Sequence, residues 1–346
     1  MNAQVMPQTN APDMTARPAF GTVLASQMAV TSWKDGRWSP HEFRRYGPIE
    51  LSPAIHAIHY GSACFEGFKA YRWVDGSVNV FRMDRHIARL QNSADCLRLP
   101  RPDTTQLAAM VTGVIDRVRG EVPESPGALY LRPTLFGTGA SIGGATLPAT
   151  EAMLIVLASP VWDYFAGGEK PLRIFVEEKL TRTSTLMGQV KAAGNYAAAL
   201  GPTLAARDQY QSDQVLFCPG GSVQETGAAN FLLIREGKIL TRSLDTTFLH
   251  GITRDSLLAI APQLGFAVEE RQFAVDEMLA WVKDGEAALC GTAAVLSGVG
   301  TLVREGGQAI PVGGGDVGPH TRRLRKALVS MQRGEIPTPA GWITQA

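Results

Sequence analysis

Little in this 346-residue chain points to metal, membrane or nucleic acid. Its four cysteines, Cys64, Cys96, Cys218 and Cys290, are scattered, with no CxxC pair and no histidine at metal-ligand spacing. That pattern argues against zinc sites and disulfide frameworks and fits reduced thiols in a cytoplasmic protein. No apolar run approaches the roughly 18 residues of a membrane span. Neither sign of charge dominates, with 33 Lys and Arg against 32 Asp and Glu for a net charge of +1, so no electrostatic footprint for nucleic acid or an anionic membrane exists. Small molecules are the expected partners. Residues 1–18 lack the apolar core of a signal peptide and the basic charge of a transit peptide, and read as a mobile tail. A dinucleotide fingerprint is missing too: GTGASIG (137–143) follows a strand, but its third glycine is one residue late and no helix opens after it, so it reads as a loop tip.

What is present suits an ordinary soluble globular protein. With 45% hydrophobic and 19% charged residues, the chain is long enough for two domains. The pattern predicts an α/β unit over 19–158, with strands at SVNVFRM, ALYLRPTLFG and AMLIVLASPV and helices over 86–99 and 105–119. Residues 159–171, rich in Pro, Gly and aromatics, read as an interdomain loop. From 172 to 346 strands and turns dominate. LRIFVEEKL, DQVLFCPGGSVQE and the hairpin NFLLIREGKILTRS are interrupted by two expected helices, Thr253 to about Leu264 and about Gly318 to Gln332.

One residue stands out. In GQVKAAGNYAAAL (188–200), Lys191 is the only charged side chain between Arg182 and Arg207, with Ala192, Ala193 and Gly194 beside it. A lysine there either lays its stem on apolar surface with its head in water, or is an amine kept for chemistry, since only a free amine attacks a carbonyl. Glu225, before the small-residue turn TGAAN, reads alone as a loop acid or as a carboxylate with a buried partner. LHGITRD places Gly251, Ile252 and Thr253 at a helix start, where free N–H groups favour an anion such as phosphate. CGTAAVLSG ends a strand with a hydroxyl and small residues.

Taken in order, HYGSACFEGFKAYR (59–72), FRMDRHIARLQNSA (81–94), YLRPTLFGTG (130–139), KAAGNY (191–196), ETGAANF (225–231), LHGITR (249–254) and CGTAA (290–294) resemble the branched-chain amino-acid aminotransferases. These are pyridoxal 5'-phosphate enzymes of fold type IV. The resemblance runs from FGTVLASQM (20–28) to the final GWI. It implies a smaller N-terminal α/β domain, a larger strand-rich C-terminal pseudo-barrel domain that binds the cofactor, and a homodimer.

The resemblance also implies roles. Lys191 would be the Schiff-base lysine and the base that moves the substrate α-proton, and Glu225 the acid that holds a proton on the pyridine nitrogen. Arg89 would bind the phosphate, with Ile252, Thr253 and Thr292, while Tyr196 would meet the cofactor's phenolic oxygen. Tyr60, Phe65, Tyr130 and Tyr196 would line the side-chain pocket, although each also reads as plain core packing. Gly291, Thr292 and Ala293 would receive the α-carboxylate, and Arg132 the second carboxylate of glutamate. The implied reaction is amino transfer between L-leucine, L-isoleucine or L-valine and 2-oxoglutarate. A D-amino-acid aminotransferase or an aminodeoxychorismate lyase of the same fold is the competing expectation. Two departures from the animal-type members stand out: Ala228 and Ala229 replace bulkier or hydroxyl-bearing residues after the acid, and the redox CxxC pair of some animal members is missing.

Overall fold

The computed structural model of the chain describes residues 18–162 and 169–346. Nearly all of the polar tail expected over 1–18, and residues 163–168 of the expected connection, therefore lie outside the described residues.

The first sheet has nine strands. Its centre is the long pair Ala128–Gly137 and Ala152–Val161, antiparallel over their whole length. Alternate side chains of the first strand, Leu129, Leu131 and Leu135, face helices α2 (Met83–Cys96) and α3 (Thr104–Arg117). Both helices bury an apolar stripe at helical spacing: Met83, Ile87, Leu90 and Ala94 on one, Leu107, Met110, Val111, Val114 and Ile115 on the other. Asp103 caps α3 by accepting from the Gln106 N–H. A short helix, α1 (His56–Tyr60), precedes the strand Ala63–Phe65 and ends on Gly61 in the left-handed region.

Three expectations shift. Helix α2 begins three residues earlier than the pattern suggested, because Arg82, at φ 54, turns the chain out of the strand, and it ends at Cys96 rather than at Leu99. The strand Ala152–Val161 runs on through Ser159 and Pro160, so the connection starts later than 159. Its neighbour Gln27–Lys34 pairs only with Ala152 to Val156, and a proline that cannot donate is tolerated beyond that point. Finally the chain's last strand, Ile343–Gln345, pairs with Val78–Phe81 in the first sheet.

The second sheet is mixed and eight-stranded. One face packs against α6 (Val275–Trp281). The other carries α5 (Ile252–Ile260) and α7 (Pro319–Gln332), whose Leu257, Ile260, Leu324 and Leu328 share a core with Tyr71, Phe81, Ala128 and Tyr130 of the first sheet. The two sheets are thus joined by buried apolar surface. Beyond the two helices expected here, α4 (Ala193–Tyr210) and α6 are present. Helix α4 escapes a pattern search because it contains Pro202 and buries only Asn195, Ala199 and Ala206, which is no continuous stripe. Among the described residues no helix is long and apolar enough to cross a membrane.

Candidate active site

Lys191 sits just before α4, where the two sheets meet. Its backbone is gripped from two sides: its carbonyl accepts from the Phe65 N–H at 3.1 Å, and its own N–H donates to Ser93 Oγ of α2 at 3.1 Å. Ala192 forms a bridge with Cys64. The amine donates to the Tyr196 hydroxyl at 2.7 Å, one turn into α4, and lies 5.1 Å from the Phe65 ring centre. Phe65 and Tyr196 touch at 5.1 Å between centroids. The Arg132 guanidinium lies 4.5 Å over Phe65 and donates to the Tyr130 hydroxyl at 2.9 Å. Its Nε is buried without a hydrogen-bond partner among the described residues. Lys191, Tyr196, Phe65, Arg132 and Tyr130 therefore form one cluster.

Tyr60 does not join them. Its ring packs on His56, with centroids 4.9 Å apart, and its hydroxyl donates to the Ile142 carbonyl in the loop after Gly139. No ring contact links it to Phe65, Tyr130 or Tyr196 among the described residues.

Glu225 is 3% exposed and held from three directions. Arg182 Nη2 is 2.8 Å from Oε1, the Leu249 N–H donates to the same oxygen at 2.9 Å, and Asn230 Nδ2 donates to Oε2 at 2.9 Å. Burial pushes its carboxyl up to about 7, and Arg182, the Leu249 N–H, Lys191 and Arg89 pull the other way without cancelling the loss of water. Asn230 also donates to the Leu249 carbonyl at 2.8 Å, so the acid and the segment leading into α5 move as one unit. Gly251 caps that helix; a Cβ there would fall 1.9 Å from Asn230 Oδ1, which explains the glycine. Helix α5 has no side-chain cap, so the N–H groups of its first residues, Ile252 and Thr253, have no capping side chain to accept from them.

Arg89 is bound to protein on two edges. Nε and Nη2 donate to the Glu66 carboxylate at 2.6 and 3.0 Å, and Nη1 donates to the His250 carbonyl at 2.9 Å. Ile252, Thr253 and Thr292 line one small cleft with His86 and Lys69. Thr292 belongs to the hairpin turn Thr292 to Ala294, which ends on Val295 at φ 64, an unusual conformation for a β-branched residue. Lys69 Nζ donates to the Ala293 carbonyl at 2.7 Å and fixes this turn to the first sheet. On the other side Ala228, Ala229, Gly291, Thr292, Ala293 and Ala294 share a cavity of about 590 Å³.

Sequence reasoning missed several contributors. Only Phe65 was singled out of FEGFK, yet Glu66 holds Arg89, Lys69 holds Ala293, and Gly67 leaves room for the Tyr130 hydroxyl, 1.8 Å from where a Cβ would stand. Arg182 and Asn230 were missed as well. An unbroken run of motif residues was the available signal for Glu66, Gly67 and Lys69; Arg182, in an irregular segment, had none.

The donor set fits pyridoxal phosphate. A guanidinium fork and an uncapped helix terminus suit a phosphate, a buried carboxylate suits a protonated ring nitrogen, and an amine beside a phenol suits an aldehyde next to a phenolic oxygen.

Comparison with known proteins points the same way. The Amino-transferase class IV family model matches residues 63–301. A probable branched-chain-amino-acid aminotransferase of Streptomyces coelicolor is 38% identical over 95% of this chain and 92% of that protein. The branched-chain-amino-acid aminotransferase of Mycobacterium tuberculosis is 36% identical over 99% of this chain and 96% of that protein. Among solved structures, the T.th. branched-chain amino acid aminotransferase with pyridoxamine 5'-phosphate superposes with a TM-score of 0.75 at 27% identity, covering 91% of this chain and 97% of its own. The Escherichia coli branched-chain enzyme gives 0.73 at 27% identity, covering 92% and 99%. The chain belongs to the class IV aminotransferases, and among them to the branched-chain amino-acid aminotransferases, pyridoxal-phosphate-dependent enzymes of fold type IV.

Proposed function

We propose that this chain moves amino groups reversibly between L-leucine, L-isoleucine or L-valine and 2-oxoglutarate, with Lys191 at the reacting centre. The reading is carried by the cluster in which the Lys191 amine meets Tyr196 at 2.7 Å, under the Phe65 ring and beside Arg132. Bound pyridoxal phosphate supplies the electron sink that makes the substrate α-proton acidic.

The chain's own residues do the rest. Lys191 would hold the cofactor through its amine, and that amine would carry the proton at the substrate α-carbon. Tyr196 orients that amine. Glu225 would keep a proton on the ring nitrogen, and Arg182, Leu249 and Asn230 hold Glu225 in place. Arg89, Ile252, Thr253 and Thr292 would take the phosphate. Phe65 and Tyr130 line the side-chain pocket with Ala228, whose small size keeps one wall open. Gly291, Thr292 and Ala293 receive the α-carboxylate, and Arg132, with a buried Nε still free to donate, takes the second carboxylate of the acidic substrate.

A homodimer fits the same reading. Ile58, Ile142 and Leu147 are 67%, 75% and 65% exposed and flank the junction of α1 with the loop held by Tyr60 and His56, an apolar patch suited to a second copy. Sedimentation at micromolar concentration tests it, and a monomer would remove it.

The function itself is tested by the absorbance spectrum of the purified holoenzyme, recorded again with L-leucine and with D-alanine. L-leucine should convert the cofactor's visible band within the mixing experiment and D-alanine should not. A preference for D-alanine would replace this reading with that of a D-amino-acid aminotransferase.

A further inference from the structure

Glu66 stands between Phe65, which faces Lys191, and Gly67, which packs on Tyr130. Its own side chain is fully buried. It meets Arg89 along one edge of the guanidinium, at 2.6 Å from Nε and 3.0 Å from Nη2, and His86 Nδ1 lies 2.7 Å from Oε2. Burial by itself would push this carboxyl up, but Arg89 and then His86 outweigh it and hold Glu66 well below the carboxylate range. The His86 imidazole is itself pushed down by burial and stacks on Phe68 at 4.8 Å. Nη1 of Arg89 is spent on the His250 carbonyl, next to the Gly251 cap of α5. Three of the fork's roughly five N–H groups are therefore committed to protein, and one on each Nη is left.

A fork held on one edge presents the other in a single orientation. An arginine without that hold keeps its charge but can swing on a long stem. We propose that Glu66 is a positioning residue: it locks the Nε edge of Arg89 so that the remaining N–H groups lie against the α5 terminus, ready for the cofactor's phosphate. This rests on Arg89 being the phosphate ligand. The chemistry recognised is a phosphate monoester, and the consequence is selectivity for the phosphorylated cofactor over its alcohol.

The test compares equilibrium dialysis of pyridoxal phosphate and pyridoxal, which share the aldehyde and differ in the phosphate, on the cofactor-free full chain. Glu66→Gln should weaken pyridoxal phosphate relative to pyridoxal by about tenfold or more, and should change that ratio no further when Arg89→Met is already present. Equal losses for both ligands, or the same change of ratio in the Arg89→Met background, would overturn the proposal. A collapsed ratio in Arg89→Met beside an unchanged one in Glu66→Gln removes the proposal and leaves Arg89 as the phosphate ligand. An unchanged ratio in Arg89→Met removes both. Should Glu66→Gln fail to fold, Glu66→Asp, which keeps the charge but shortens the reach, is read on the same ratio with the same expected direction.

Discussion

Arg182 places Nη2 2.8 Å from Oε1 of Glu225, and both side chains are only 4% exposed. The arginine is the strongest of the groups that oppose the effect of burial on that acid. Removing one partner of such a buried pair leaves the other uncompensated. In Arg182→Met the Glu225 carboxyl should rise further, and the pH window over which its proton affects the Tm of the cofactor-free protein should move up with it, giving a shifted Tm profile. An unmoved profile in a folded variant would show that Arg182 does not govern Glu225.

Glu225→Gln should still bind cofactor through Lys191 and Arg89 but turn over far more slowly, because a neutral amide cannot hold the ring's positive charge. A loss of about 3 kcal/mol of transition-state stabilisation corresponds to roughly a hundredfold. The quantity to compare is turnover per bound cofactor, and equality with the parent enzyme would reassign the ring's proton partner.

The same acid makes the cofactor-free protein sensitive to pH. Its carboxyl lies at about 7 in the fold against 4.5 ordinarily, so between those values the folded state binds a proton that the unfolded chain has released. Stability from this group therefore falls as pH rises through that window. The Tm of the cofactor-free protein should drop from about pH 5 to about pH 7.5 relative to that of Glu225→Gln, and parallel curves would contradict the shift.

Lys191→Ala should fold, lose the visible band of the bound cofactor, and lose turnover by about a thousandfold or more, since no neighbouring amine can replace both attachment and proton transfer. Circular dichroism, absorbance and turnover on one preparation check it. Near-normal turnover in the folded variant would be decisive against the assignment.

In the proposed reading, Arg132 and Ala228 divide substrate range between them. Arg132→Ala should weaken use of 2-oxoglutarate more than use of 4-methyl-2-oxopentanoate, because only the former brings a second carboxylate. Ala228→Thr, which adds bulk beside Gly291, should reduce methionine and phenylalanine as donors more than valine. Discrimination among leucine, isoleucine and valine should stay modest, as one methylene is worth about 1 to 3 kcal/mol in an apolar pocket. Equal losses for both acceptors would make Arg132 structural.

The amino-acid sequence by itself determined the family and singled out Lys191 as the candidate reacting lysine. A lone charge in an alanine and glycine segment is a local signal, and so are the ordered blocks from FEGFKAYR to CGTAA. It also determined the amphipathic helices α2, α3, α5 and α7, each of which buries residues at helical spacing. Only the tertiary structure decided which charges meet. Arg182 reaches Glu225 and Glu66 reaches Arg89 across long stretches of chain, and nothing in the neighbourhood of either residue marks its partner. Helix α4 formed without an apolar stripe, its start tied to the first sheet through Ala192 and Cys64, and Tyr60 was drawn to His56 rather than to the cluster at Lys191. The physical reason is common to all of these. Periodicity records how one segment faces a core, whereas ion pairs, domain contacts and ring stacking depend on where the fold carries the other segment.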